Sequence, residues 1–186
     1  MVSNMNSNRL AGIALVYLAS ALFAGSALAQ APRINLNAEK MELESMGLTL
    51  SQSEDAEGNS VLIYDLGSSQ PETRVTFQDC NAAGCTTAVF RQRYEGVCIS
   101  QRCRDFREAR GVPPSVRLDD ADIAGLNRSD SPATIRLQDG EHAQQIIIER
   151  IWTASAEERF SESILNIDSE MSMMWQSVRE LLRPGR

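Results

Sequence analysis

Three observations predict an α+β fold, with helices packed on one face of an antiparallel sheet. Short alternating apolar runs lie between turn residues from 48 to 94, a second pair of such runs flanks Asp139-Gly140, and the chain closes on one apolar stripe at helical spacing. The expected order is α-ββββ-α-ββ-α, ending in a long amphipathic helix.

The first helix is expected over Ile34 to Met46. Asn35 or Asn37 can cap it, Leu36, Met41, Leu43 and Met46 give an apolar face, and Gly47 stands where a left-handed C-cap falls. Leu48 to Gln52 and Ser60 to Leu66 read as strands around Glu57-Gly58-Asn59, and Val61 to Tyr64 is too apolar on both faces for a sheet edge. Thr73 to Asp79 alternates Val75 and Phe77 inward with Arg74, Thr76 and Gln78 outward, and Thr86 to Tyr94 sets Ala88, Phe90 and Tyr94 against Arg91 and Arg93.

From Glu95 to Val116 the pattern breaks into a polar excursion rich in Cys and Arg, with one helical turn around Arg104 to Arg110. Leu118 to Leu126 regains helical character, with Asp119, Asp120 and Asp122 where a helix dipole favours acids. Ala133 to Gln138 and Ala143 to Trp152 form a hairpin about Asp139-Gly140. Ser155 and Glu158 have capping-box spacing, and Phe160, Ile164, Ile167, Met171, Met174, Val178 and Leu181 then form one stripe along about 40 Å of helix, stopped by Pro184-Gly185.

The N-terminus points to export. Arg9 precedes an apolar run from Leu10 to Phe23, and Ala27-Leu28-Ala29 supplies the small-x-small pattern of a cleavage site, placing the cut between Ala29 and Gln30. The competing reading is a retained anchor, since Leu10 to Ala29 is just long enough to span a bilayer. With residues 1–29 removed as a signal peptide, 30–186 suits a single domain in the periplasm or outside a bacterial cell. The formal charge of −7 on the full chain becomes −8 once Arg9 is lost, which disfavours nucleic acid as a partner. No later apolar run is long enough to cross a membrane.

Several local motifs resemble the YbjN-domain family, whose fold is similar to that of type III secretion chaperones. They are LESMG at Leu43 to Gly47, Asp55-Ala56-Glu57-Gly58-Asn59 before an apolar strand, VTFQDCNAAGC with Phe77 and the Cys80/Cys85 pair, Leu126-Asn127 closing a helix, and the paired strands about Asp139-Gly140. The resemblance runs from Ile34 to Val178. It implies a small interaction fold without an active site; a chaperone-like helper of this kind would be expected to form a homodimer.

The four cysteines are Cys80, Cys85, Cys98 and Cys103. In an oxidising compartment they are expected to pair, and of three connectivities the local one, Cys80 with Cys85 and Cys98 with Cys103, is favoured because a hairpin brings the first pair opposite each other. Two rivals stay open: a zinc site, against which the spacing and export both count, and a reactive or sensing thiol at Cys98/Cys103, where Arg102 and Arg104 would lower a thiol pKa.

No cofactor motif occurs, and His142, the sole histidine, stands beside a turn. A non-enzymatic binding protein is therefore expected. Two surfaces could meet a partner protein: Arg102, Arg104, Arg107 and Arg110 in QRCRDFREAR, and Met173 with Trp175 on the last helix. The plainer readings are a solvated face for the first and packing on the sheet for the second.

Overall fold

The computed structural model describes residues 32–65, 71–112, 115–127 and 132–183. The signal segment, the Ala29/Gln30 cut, Leu66, Pro113-Pro114 and Pro184-Gly185 lie outside the described residues. The elements in chain order are α1 (Leu36–Ser45), β1 (Thr49–Glu54), β2 (Ser60–Asp65), β3 (Thr73–Gln78), β4 (Thr87–Cys98), α2 (Gln101–Glu108), α3 (Asp120–Ala124), β5 (Ala133–Asp139), β6 (Ala143–Thr153) and α4 (Phe160–Leu181). The six strands form one antiparallel sheet in the order β1-β2-β3-β4-β6-β5. The α+β class and the long closing helix are those the sequence predicts, and apolar β2 is an interior strand.

Residues paired across antiparallel strands share a face, so the register assigns each side chain. One face carries Leu62, Tyr64, Val75, Phe77, Ala88, Phe90, Tyr94, Ile135, Ile146, Ile148 and Trp152. These join Leu43 of α1, Ile123 of α3 and Phe160, Ile164, Ile167, Met171 and Val178 of α4 in one core. Phe160 is its hub, with ring centroids 5.4 Å from Phe77, 5.6 Å from Phe90 and 5.6 Å from Trp152.

Four boundaries differ from expectation. Strand β4 does not stop at Tyr94 but continues to Cys98, because β6 is long enough to pair with it; a bulge between Glu95 and Cys98 absorbs one residue. Gly96 lies at that bulge, where a Cβ would come within 3.2 Å of the Gln144 carbonyl and the Ile146 side chain. The excursion therefore begins after Cys98, and it holds two turns of helix over Gln101–Glu108 rather than one turn over Arg104 to Arg110. Helix α3 is only Asp120–Ala124, framed by a reciprocal cap between Asp119 and Asp122, while Leu118 is buried as loop.

The Ser155/Glu158 pair does not start α4. Ser155 Oγ accepts the Glu158 N–H at 3.1 Å in a turn, and the helix begins at Phe160 behind Arg159. The start of the helix is served from α1 instead: Glu39 accepts the Ser161 N–H at 3.1 Å, and Glu42 pairs with the Arg159 guanidinium.

The chain entering α1 is anchored at the Cys80–Cys85 loop. Ile34 N–H donates to the Cys85 carbonyl at 2.7 Å and Cys85 N–H returns a bond to Ile34 at 3.1 Å. Gly84, at φ 121°, permits this approach, since a Cβ there would lie 2.4 Å from the Ile34 carbonyl oxygen.

Candidate functional site

The excursion between β4 and α3 is the most elaborate local structure outside the core. Ser100 caps α2 by accepting the Cys103 N–H at 3.2 Å, and the Cys98 and Cys103 sulfurs lie 1.96 Å apart, joining the end of β4 to the first turn of α2. The Cys80 and Cys85 sulfurs lie 2.09 Å apart across the β3–β4 connection. Among the described residues no cysteine is free, and no cluster of His, Cys, Asp or Glu is arranged to hold a metal ion.

Helix α2 buries no residue, so polar bonds place it. Arg107 donates to the Gly96 carbonyl at 3.0 Å and to Ser115 Oγ at 3.1 Å, spanning the two ends of the excursion. Arg104 donates to the Ile99 carbonyl at 3.1 Å and to Gln101 at 3.0 Å, and Arg110 lies 3.5 Å over the Phe106 ring. Arg102 is exposed. Three of the four arginines that the sequence groups as a binding cluster thus hold the excursion's own shape.

What they shape is an open cleft of about 520 Å³, lined by Val97, Cys98, Arg104, Arg107, Glu108, Val112 and Ser115. Phe106 is 58 % exposed, and Val112 and Val116 of the same segment are exposed as well. The cleft's lining combines the apolar side chains of Val97 and Val112 with the charges of Arg104, Arg107 and Glu108 and the hydroxyl of Ser115.

His142 lies on the same side, its backbone carbonyl accepting the Ile99 and Ser100 N–H groups. Its Nδ1 is 3.5 Å from Ser100 Oγ and its Nε2 is 3.5 Å from Glu141, whose side chain is 87 % exposed. Both separations are at the limit of hydrogen bonding, and the hydroxyl already serves as the helix cap. Such an arrangement in water neither activates the serine nor holds the ring.

On α4 the two residues singled out by sequence separate. Trp175 stacks on Tyr94, centroids 3.9 Å apart and planes 14° apart, whereas Met173 is exposed.

Beneath Trp175 lies a polar network that linear reading missed. Asp168 of α4 is buried, and one of its oxygens accepts from the Tyr64 hydroxyl at 3.1 Å, the Thr73 hydroxyl at 3.1 Å and the Gln92 amide at 3.2 Å. The Tyr94 hydroxyl donates to Gln92 Oε1 at 2.7 Å. Among the described residues no cation takes part. Burial pushes the Asp168 carboxyl above its ordinary value, with the bonds from Thr73 and Tyr64 pulling back, and burial first and Asp168 second push the Tyr64 and Tyr94 hydroxyls up. The available signal was Gln92, which falls on the same face as Phe90 and Tyr94 and breaks an otherwise apolar run.

No family model matches the chain, and no curated protein matches it. Three chains of solved structure do; one is YbjN from E. coli, described as a proposed transcription regulator, at a TM-score of 0.48 and 14% identity, covering 81% of this chain and 97% of that one. No residue role is carried over from a likeness at this level.

Proposed function

We propose that the chain is an exported, non-enzymatic binding protein of YbjN character, that residues 1–29 are its signal peptide, and that residues 30–186 act in the periplasm or outside the cell by engaging a protein partner at the disulfide-anchored excursion. The observation that carries this reading is the position of exposed apolar surface. Of eight large hydrophobic side chains exposed among the described residues, Phe106, Val112 and Val116 fall in this one segment, and Val112 lines the 520 Å³ cleft. Exposed apolar groups so gathered on a polar, covalently fixed support are what a recognition surface requires. Two cysteine pairs at bonding distance fit an oxidising compartment, and among the described residues no helix is long and apolar enough to cross a membrane.

The test has two stages. The intact mass of chain exported from a bacterial host, alkylated with and without reduction, should correspond to a start at Gln30 and gain four alkyl groups only after reduction. A photo-crosslinking residue at Phe106 or Val112 should then capture a partner that the same residue at Met41, exposed on α1, does not. Equal capture at both places would overturn the assignment of the surface.

One observation supports a second reading, a thiol sensor. Cys103 lies in the first turn of α2 next to Arg102 and Arg104, where a reduced thiolate would be stabilised. Alkylation without prior reduction at Cys98 and Cys103 alone would favour it.

A further inference from the structure

The face of the sheet turned away from α4 is basic, in a chain whose formal charge is −7. Arg74 stands directly opposite Arg91, Arg91 opposite Glu149, and Ile147 is flanked by Arg93 on β4 and Arg136 on β5. Arg91 donates to Glu149 Oε2 at 3.1 and 2.6 Å, and Arg136 donates to the same oxygen at 2.7 Å, so one carboxylate serves two guanidinium groups. Arg93 is exposed and has no hydrogen bond or ion pair among the described residues; Glu95 follows it on the same face at the bulge. Between β4 and β5 lies a hollow of about 440 Å³ whose lining includes Arg91, Arg93, Arg136, Gln138 and Ile147 and no acid.

Like charges set opposite each other across strands cost stability. Glu149 answers Arg91 and Arg136, which leaves Arg93 without an acid paired to it among the described residues. Ile147, set between Arg93 and Arg136, is only 5 % exposed, so what the hollow presents to solvent is chiefly the arginines. We infer that this hollow is a docking surface for an extended acidic segment of a partner protein, its carboxylates meeting Arg93, Arg136 and Arg91. Planar guanidinium groups match carboxylates two bonds at a time. A second copy of the chain does not fit, because packing this face on itself sets arginine against arginine. Nucleic acid asks for a longer basic stripe than three strands supply.

The surface is distinct from the excursion and is tested separately, with the full exported chain and a fluorescein-labelled eight-residue peptide alternating Glu and Leu. Wild-type chain should raise the peptide's anisotropy saturably, and Arg93→Glu should weaken binding about tenfold or more. Arg93→Gln should give an intermediate loss, and Arg102→Glu on α2 should leave affinity unchanged. The thermal midpoint of Arg93→Glu should not fall, which separates lost recognition from lost folding. Absence of binding to the wild type, equal binding by Arg93→Glu, or an equal loss in Arg102→Glu would each overturn the proposal. So would displacement of the peptide by duplex DNA or by anionic phospholipid vesicles at matched charge, which would show an unselective anion surface.

Discussion

The two faces of the sheet carry opposite imbalances of charge. Under α4, Asp168 is a buried acid whose hydrogen bonds among the described residues come from the neutral groups of Tyr64, Thr73 and Gln92; on the opposite face Arg91 and Arg136 share Glu149, with Arg74 opposite Arg91 and Arg93 opposite Ile147. The difference lies in what water can do. The buried acid is satisfied by fixed hydrogen bonds, whereas on the other face Arg91 and Arg136 are partly occupied by Glu149 and exposed Arg93 keeps its bonding capacity for another molecule. One imbalance is structural and the other is available.

Breaking the buried side should cost most. Asp168→Ala leaves the Tyr64 and Thr73 hydroxyls and the Gln92 amide without their shared acceptor, and unfolding in urea should show a loss of about 3 kcal/mol. A loss below about 1 kcal/mol would mean the network contributes little beyond packing.

Asp168→Asn sharpens the same point, because it keeps the accepting oxygen and removes the charge. Burial raises the carboxyl above its ordinary value of 3.8 in the folded chain only. The folded chain therefore holds a proton that the unfolded chain has lost, so this group's stabilisation is full below the ordinary value and fades as pH rises through the raised one. Wild type should lose stability relative to Asp168→Asn as pH rises above the ordinary carboxyl value of 3.8. Parallel profiles would show that Asp168 does not titrate differently in the two states.

On the open face, Glu149→Gln should cost about 1 kcal/mol, since Arg91 and Arg136 lose their common counter-charge in a partly solvated setting. The smallest effect belongs to Arg93→Glu, expected within about 0.5 kcal/mol of wild type and on the stabilising side, because it places an acid among arginines. A thermal midpoint several degrees lower would show that Arg93 supports the fold.

Much of this architecture was legible. The α4 stripe has one period sustained from Phe160 to Leu181, Asp139-Gly140 marks its hairpin, and the apolar β2 announces an interior strand; each signal is local. What escaped depends on partners distant in sequence. The Ser155/Glu158 box has the right spacing, yet Glu39 and Glu42 of α1 serve the start of α4. The end of β4 could not be read at Tyr94, because β6 decides how far the strand is paired. The same limit explains the arginines. A contiguous run such as QRCRDFREAR shows itself at once and proves largely occupied with its own segment, while Arg74, Arg91, Arg93 and Arg136 come onto one face only when the four strands β3, β4, β6 and β5 are laid side by side.

The pairing of β4 with β6 has a kinetic consequence. Its register joins Thr87 to Thr153 at one end and Cys98 to Ala143 at the other, across all of α2, α3 and β5. Each disulfide joins cysteines only five positions apart, so neither shortens that search. Closing so long a loop before its contacts form belongs to the slow regime, about milliseconds to seconds. Reduction should accordingly hasten unfolding while leaving the refolding rate nearly unchanged, and the newly made chain passes through an interval in which its central strands are still unpaired.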